Sequence, residues 1–137
     1  MLSKSWGYAV RALVKMAATH DDLKRRWSAE ELAEAASLPP SFLAKILQQL
    51  TAANLVASSR GRGGGVRLAR DPKEIRLSEV VAATEEGDPF SLDSAGLEDA
   101  TPKLLAELNE RWHPYKNAVR EFLVETTLAD LMEREGF

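Results

Sequence analysis

A stretch rich in glycine and arginine, set between two strand-like runs, limits what this 137-residue chain can fold into. Residues 58–70, SSRGRGGGVRLAR, contain four of the eight glycines. The runs LVAS and VRLA on either side are short and β-prone, which predicts a two-stranded hairpin with a cationic tip. Glycines let a backbone approach a phosphate chain or enter a narrow groove, and arginines supply the charge that such surfaces attract.

The glycine run matches neither of two common nucleotide-binding motifs. Val66 stands where G-x-G-x-x-G requires its third glycine, and no Lys followed by Ser or Thr completes a P-loop. RNA-binding RGG segments normally recur in longer disordered repeats, whereas this run occurs once between strand-like segments. A hairpin wing is therefore favoured, and a flexible turn without a ligand is the alternative.

Three helices are predicted before the hairpin. Residues 4–19 repeat apolar side chains with a period of 3.6 residues. Ser28 followed by Glu31 forms a capping-box pattern that begins a second helix. A third helix fits PPSFLAKILQQLTAAN, with its prolines at the start and Asn54 as the C-terminal cap. This order predicts a mainly α fold with a small two-stranded β-hairpin, a winged helix-turn-helix.

The outer face of the third helix carries small and hydrogen-bonding side chains. The apolar stripe consists of Leu43, Ile46, Leu47 and Leu50, and the residues left pointing outward are Ser41, Ala44, Lys45, Gln48 and Gln49. Gln pairs well with adenine and Lys with guanine in the major groove of DNA, so Lys45 and Gln48 are candidate base-reading residues. An ordinary solvated surface is the alternative.

The net charge of −3 hides a marked asymmetry. Residues 1–76 carry thirteen Lys or Arg and seven Asp or Glu, a net charge of +6, whereas residues 77–137 carry five and fourteen, a net charge of −9. A basic half joined to an acidic half is typical of a chain in which one half meets a polyanion. Chance clustering on a solvated surface is the alternative.

The C-terminal part predicts a long helix with an apolar seam. A turn at residues 71–72 and a helix from about Ser78 to Gly87 come first, followed by an acidic loop. Apolar and aromatic residues then alternate at spacings of three and four: Leu105, Leu108, Trp112, Tyr115, Val119, Phe122 and, at the end, Thr126. We expect this seam to form a homodimer interface, with intramolecular packing as the alternative. Pro114 predicts a bend or break in the helix.

Several classes of function are disfavoured. The chain has no cysteine, which excludes a disulfide framework and a thiolate metal site. His20 and His113 are isolated, and no spacing suggests a catalytic cluster, so we expect neither an enzyme nor a metal site. No run approaches about eighteen uninterrupted apolar residues, and charges interrupt the N-terminal apolar positions. We therefore expect a cytoplasmic protein without a membrane span.

Five segments together resemble the bacterial winged-helix transcription regulators that include IscR, NsrR and CymR. They are YAVRAL, LPPSFLAKILQQLTAANLV, SRGRGGGVRLAR, IRLSEVVAATE and FLVETTLADL. The resemblance as a whole covers most of the chain, from about residue 3 to 131. The most specific is the R-G-x-G-G-G wing at a fixed distance after the third helix. The resemblance implies a homodimeric DNA-binding regulator, which we expect to be a repressor, on a pseudo-palindromic operator.

The resemblance also implies an organisation and a set of site residues. The expected parts are a DNA-binding domain over residues 1–86, a sensor-type loop or linker over 87–101, and a dimerisation helix with a tail over 102–137. Recognition helices would enter major grooves and wings the adjacent minor grooves. The expected DNA-binding residues are Ser41, Phe42, Lys45, Gln48, Arg60, Gly61, Arg62 and Gly63, with Ser41 and Phe42 at the DNA backbone and Arg60 in the minor groove.

Two departures from the family pattern affect what is expected. Many members hold an iron–sulfur cluster through three cysteines in the loop before the long helix, and this chain has none, so we expect no cofactor. Some members without a cluster respond to small molecules or partner proteins, and the resemblance therefore allows an effector of one of these kinds. Arg62 stands where proline is common, which adds a cation to the wing. A winged-helix module that binds proteins instead of DNA is the alternative function.

Overall fold

The computed structural model of the chain describes residues 1–92 and 95–135. Its elements in chain order are α1 (Lys4–Ala18), α2 (Ala29–Ala36), α3 (Pro40–Ala52), β1 (Val56–Ser59), β2 (Gly65–Leu68), a 3-10 turn (Pro72–Glu74), α4 (Leu77–Thr84), α5 (Pro102–Glu125) and α6 (Leu128–Glu135). β1 and β2 pair antiparallel, so the predicted fold class is confirmed. Parts of the expected linker (residues 93 and 94) and of the expected tail (residues 136 and 137) lie outside the described residues.

Local capping signals set the limits of the two central helices. The Ser28 hydroxyl accepts a hydrogen bond from the Glu31 N–H at 3.1 Å, and the Glu31 carboxylate accepts one from the Ser28 N–H at 3.4 Å. The hydrogen bond with the Ser28 side chain, followed by one from Arg25, lowers the pKa of Glu31. Asn54 has a φ of 61° just after α3, where a left-handed residue ends a helix. Both predicted caps are confirmed.

The helix expected to reach Gly87 ends three residues earlier, at Thr84. Glu85 adopts extended backbone angles, and its carboxylate accepts hydrogen bonds from the Ser3 N–H at 2.8 Å and the Ser3 hydroxyl at 2.6 Å. The prediction of the boundary was wrong because this contact joins residues 82 positions apart in the sequence, which local patterning does not indicate.

One apolar core joins α1 to α4, the hairpin and α6, which together form the winged unit. Its large, fully buried members include Leu13, Met16, Leu32, Leu43, Ile46, Leu50, Leu55, Ile75, Val80 and Leu128. α6 was not predicted as a separate helix. After α5 the chain returns to the core because its main chain pairs with residues 75–77. The Leu77 N–H donates to the Thr126 carbonyl, and the Leu128 N–H donates to the Ile75 carbonyl, both at 3.0 Å.

α5 runs for 24 residues with Pro114 inside it. Of the bend or break predicted at this residue, the break does not occur, because the helix continues through the proline. Proline removes the hydrogen bond to the Glu110 carbonyl. Both residues are exposed, so water can bind that carbonyl instead. The seam also ends earlier than expected, because Thr126 caps α5 and lies outside its regular turns. Within residues 1–92 and 95–135, no helix is long and apolar enough to cross a bilayer.

Main-chain pairing joins the hairpin to the loop before α2. The Trp27 N–H donates to the Val66 carbonyl, and the Val66 N–H donates to the Trp27 carbonyl, both at 2.8 Å. The Trp27 indole donates to the Thr19 hydroxyl at 2.9 Å, which fixes the ring. This pairing adds a one-residue edge to the sheet. An edge of a single residue shows no alternation of side chains along the sequence, so this pairing was not predicted.

Replacing Gly65 with alanine should destabilise the fold. A β-carbon there would lie 2.5 Å from the Trp27 carbonyl oxygen, and the φ of 143° is strained for any side chain. We expect the free energy of unfolding to fall by about 2–3 kcal/mol, measured by urea denaturation. Gly7→Ala is the control, because Gly7 lies inside α1 with open space around it; it should stabilise by roughly 0.5–1 kcal/mol. Equal unfolding midpoints for the two variants would contradict the close contact.

Candidate nucleic-acid interface

The third helix exposes the face that the sequence analysis selected. Leu43, Ile46, Leu47 and Leu50 are buried against the core. The side chains of Ser41, Phe42, Ala44, Lys45 and Gln48 are exposed on the other side. Gln49 differs from the expectation, since it is only partly exposed and its amide oxygen is buried without a partner in the described chain. It lies three residues after Ile46, at the edge of the buried stripe.

Aromatic and cationic contacts fix the start of α3. The Phe42 ring, 52% exposed, packs edge-to-face on Tyr8 with 5.8 Å between ring centroids. The Arg11 guanidinium lies over the Tyr8 ring, 5.6 Å from its centroid, and donates to the carbonyls of Ala36 at 2.5 Å and Ser37 at 2.8 Å. A cation at the C-terminal end of α2 is favourable for its dipole. Neither Tyr8 nor Arg11 was among the predicted site residues, although their spacing of three places them on one side of α1.

The wing tip presents two guanidinium groups that the described chain does not use. Arg60, Gly61, Arg62 and Gly63 are all exposed. The glycines have φ angles of 89° and 78°, and the Gly64 N–H closes the turn on the Gly61 carbonyl at 2.9 Å. Neither arginine has an ion pair or hydrogen bond to any other described residue. The tip is therefore open and cationic.

The other two arginines of the stretch have structural roles. Arg67 donates to the carbonyls of Leu23 at 2.6 Å and His20 at 3.0 Å, which fastens β2 to the loop after α1. Arg70 donates to the Glu79 carboxylate at 3.0 Å, which links the end of the hairpin to α4. Among the arginines between residues 58 and 70, only those at the tip are available to a ligand.

The exposed face of α3 and the hairpin border one shallow groove. Its walls come from both elements: Ala44, Leu47, Gln48, Thr51 and Ala52 of α3, and Ser58 and Val66 of the hairpin. The α3 residues selected from the sequence therefore lie beside the hairpin that carries the wing residues. The cationic tip lies beyond this groove on the same hairpin, and positive charge there attracts a polyanion such as nucleic acid.

The seam on α5 is only partly covered. Tyr115 is 67% exposed and Phe122 is 52% exposed, whereas Leu105, Leu108 and Val119 are partly exposed. Trp112 has a partner within the chain, since its indole donates to the Phe90 carbonyl at 2.7 Å. An apolar stripe of this kind on a long helix is typical of an interface between protein chains.

The family described as "Rrf2: Iron-dependent Transcriptional regulator" matches residues 2–134. "Protein aau3" of Rhizobium meliloti (strain 1021) is 38% identical, over 96% of this chain and 84% of that protein. The "HTH-type transcriptional regulator IscR" of Cereibacter sphaeroides is 31% identical, over 98% of this chain and 88% of that one.

Solved structures with a similar fold agree with this family match. The structure of CymR, described as the global cysteine regulator of B. subtilis, superposes with a TM-score of 0.79 at 28% identity, over 98% of this chain and 97% of that chain. The T. potens IscR structure superposes with a TM-score of 0.76 at 26% identity, over 98% and 88% of the two chains.

The family description implies iron, and the donor atoms of this chain do not fit the iron–sulfur cluster that cysteines hold. Such clusters are held by thiolates, and the chain contains no cysteine. Within the described ranges, no three His, Asp or Glu side chains form a metal-binding group. His113 instead shares a hydrogen bond of 3.1 Å with Asn117.

Removing either tip arginine should weaken binding to duplex DNA without affecting stability. In Arg60→Ala or Arg62→Ala, the lost guanidinium has no contact within the described chain, so the unfolding midpoint should stay the same. The slope of log affinity against log salt should become shallower by about one per lost phosphate contact, measured by fluorescence anisotropy on random-sequence duplex. The control is Lys103→Ala, a charge loss at an exposed position of α5. An equal change of slope in the control would contradict a special role of the tip.

Proposed function

Because the chain belongs to the Rrf2 family of transcriptional regulators, we propose that it is a homodimer that binds a pseudo-palindromic DNA operator and represses the adjacent genes. The family and its named members are transcriptional regulators and not enzymes, in agreement with the sequence analysis. We assign DNA binding to residues 1–86 and dimerisation to the helix that follows the linker. The site of action is the cytoplasm, where bacterial DNA lies.

One observation carries the DNA-binding proposal. The guanidinium groups of Arg60 and Arg62, which pair with no residue that the structure describes, extend from a hairpin that shares a groove with the exposed face of α3. In the proposed complex α3 lies in the major groove as a recognition helix, and the wing meets the adjacent minor groove. Positive charge in a narrow minor groove is favourable because the potential there is strongly negative. Gly61 and Gly63 leave room for the backbone of the wing to approach the DNA.

The residues of α3 divide into two tasks in this proposal. Lys45 and Gln48 read base edges, because an ammonium group suits guanine and a carboxamide suits adenine. Ser41 and Phe42 contact the DNA backbone at the start of the helix. Phe42 is held against Tyr8, and this packing limits how far the first turn of α3 can shift. Contacts to the backbone fix the register, and contacts to bases supply the sequence preference.

The apolar stripe of α5 supports a homodimer. Tyr115 and Phe122 are too exposed to be stabilised within one copy of the chain, and a second copy offers an identical stripe. A two-fold dimer places two copies of α3 on one side, which matches an operator with two-fold symmetry. The proposed interface residues are Leu105, Leu108, Trp112, Tyr115, Val119 and Phe122.

Repression is the simplest effect of such a dimer. A protein that covers a promoter excludes RNA polymerase without needing a further activity. Since the donor atoms do not fit the cluster of the family, we propose a small molecule or a partner protein as the effector.

Substitutions on the base-reading face should change sequence preference. We expect Lys45→Ala and Gln48→Ala to lose about 1–3 kcal/mol of discrimination at one base position of each half-site while keeping random-sequence binding. The measurement is retention of sheared genomic DNA of the source organism at near-physiological salt, followed by sequencing. Wild-type protein should enrich a two-fold-related motif.

The matched control for this selection is Glu34→Ala, an exposed change on α2. It should return the wild-type motif. If wild-type protein enriched no motif at all, the DNA-binding proposal would fail, and the protein-interaction module would take its place. If Lys45→Ala and Gln48→Ala both returned the wild-type motif, another face would read the bases.

An acidic substitution on the seam should separate the dimer. Phe122→Asp places a charge on the apolar stripe, and burial of an unpaired carboxylate is strongly unfavourable. We expect the mass measured by light scattering to fall by half. Val124→Asp is the matched control, because Val124 is 50% exposed but lies two residues further, away from the stripe; it should leave the mass unchanged. A monomeric wild-type protein would contradict the dimer.

A further inference from the structure

α5 has few apolar contacts to the winged unit. Leu123 is the one buried residue of this helix, and the helix packs on the unit chiefly through α4. Its C-terminal end is also held by polar contacts, from the Arg76 guanidinium to the Val124 carbonyl at 2.7 Å and from the Leu77 N–H to the Thr126 carbonyl at 3.0 Å. A long helix that buries little apolar surface can change its angle at low energetic expense. The orientation of the middle of α5 must therefore depend on other contacts.

Those contacts come from the connector, which we define as residues 85–92, between α4 and the loop before α5. Asp88 accepts a hydrogen bond from the Lys116 ammonium at 2.7 Å and another from the Arg120 guanidinium at 2.9 Å, both on the same carboxylate oxygen. The Lys116 side chain is only 19% exposed, so this pair is partly shielded from water. The hydrogen bond from Lys116 also lowers the pKa of Asp88.

A second connector residue, Phe90, contacts the same side of α5 that binds Asp88. The Phe90 carbonyl accepts the Trp112 indole N–H at 2.7 Å, and the Phe90 N–H donates to the other Asp88 carboxylate oxygen at 2.9 Å. Trp112, Lys116 and Arg120 follow one another at intervals of four residues, which places them in one row along the helix. Donors on successive turns of α5 therefore bind the segment 88–90 of the connector.

The other end of the connector is fastened to the winged unit. Glu85 accepts two hydrogen bonds from Ser3, the residue that precedes α1. The connector therefore bridges α1 and the middle of α5 through polar contacts at both ends. Rotation of α5 relative to α1 would disturb the Asp88 contacts, because they join this bridge to the middle of the helix.

We propose that Asp88 is a positioning residue for operator binding: it sets the angle of α5 and thereby the distance between the two copies of α3 in the dimer. This inference rests on the proposed function, in which two copies join through α5. Asp88 itself does not need to touch DNA. A dimer with a fixed angle accepts one spacing of half-sites, whereas a dimer with a loose angle accepts several.

The test measures the tolerance to half-site spacing. The probes are inverted repeats of the half-site that genomic selection returns, with the selected spacer, one base pair more or one fewer; each added pair rotates a half-site by about 35°. We expect wild-type protein to prefer one spacer by about tenfold and Asp88→Asn by about threefold or less, by fluorescence anisotropy. Both proteins should bind a single half-site duplex equally, because the winged unit is unchanged.

Two further variants separate positioning from folding. Asp88→Glu keeps the carboxylate and should keep most of the spacer preference. Asp99→Asn removes an exposed charge from the loop that follows the connector and should keep all of the spacer preference. If Asp88→Asn does not fold, the double variant Lys116→Met with Arg120→Met removes the same contacts from the α5 side. That variant should give the same loss of preference.

The outcomes are distinguishable. A wild-type protein that binds the selected DNA without any spacer preference overturns the dimer geometry, and with it the positioning role. A wild-type preference that survives in both Asp88→Asn and the double variant overturns the positioning role alone. An equal loss of affinity on the half-site and on the full operator also overturns it, since Asp88 would then act only on folding.

Discussion

Two main-chain hydrogen bonds between Trp27 and Val66 fix the geometry on which the candidate DNA interface depends. The hairpin follows α3 after a short turn, and this pairing acts together with the buried Val56, Val66 and Leu68 to hold it against the winged unit. Gly65 makes the close approach possible because a side chain there would collide with the Trp27 carbonyl. Backbone pairing and core packing therefore set the angle between α3 and the wing, and the exposed side chains of both elements have no part in it.

Much of the fold follows from local chemistry, and the rest follows from contacts between distant residues. The Ser28–Glu31 capping box and Asn54 in the left-handed region are signals confined to a few residues, so the sequence was sufficient to place both caps. The end of α4 depends on Ser3, and the return of α6 depends on pairing with residues 75–77. No periodicity in one segment contains that information. The helix also continues through Pro114 without the break that was one of the two predicted outcomes. Whether a helix continues past a proline depends on the exposure of its turn, which a local pattern does not contain.

In the candidate site, too, some features follow from the local sequence and others from contacts between distant residues. The outward face of α3 followed from the apolar stripe beneath it, and the open tip followed from its glycines. Composition did not distinguish Arg60 from Arg67, although one is free and the other binds the carbonyls of the loop after α1. Which cation faces a ligand depends on the carbonyls within its reach. The support that Tyr8 gives to Phe42 likewise depends on how α1 crosses α3.

The connector and the start of α5 are both anchored, the first by Asp88 and the second by the Thr101 hydroxyl, which accepts the Leu104 N–H at 3.2 Å. The loop between them joins two fixed points and, where described, is largely exposed. Changes in loop length have a small entropic effect when the ends are held. During evolution, this stretch can therefore gain, lose or exchange residues while α3, the wing and α5 keep their places. In the proposed regulator, a change of signal would then need no redesign of the proposed DNA-reading surface.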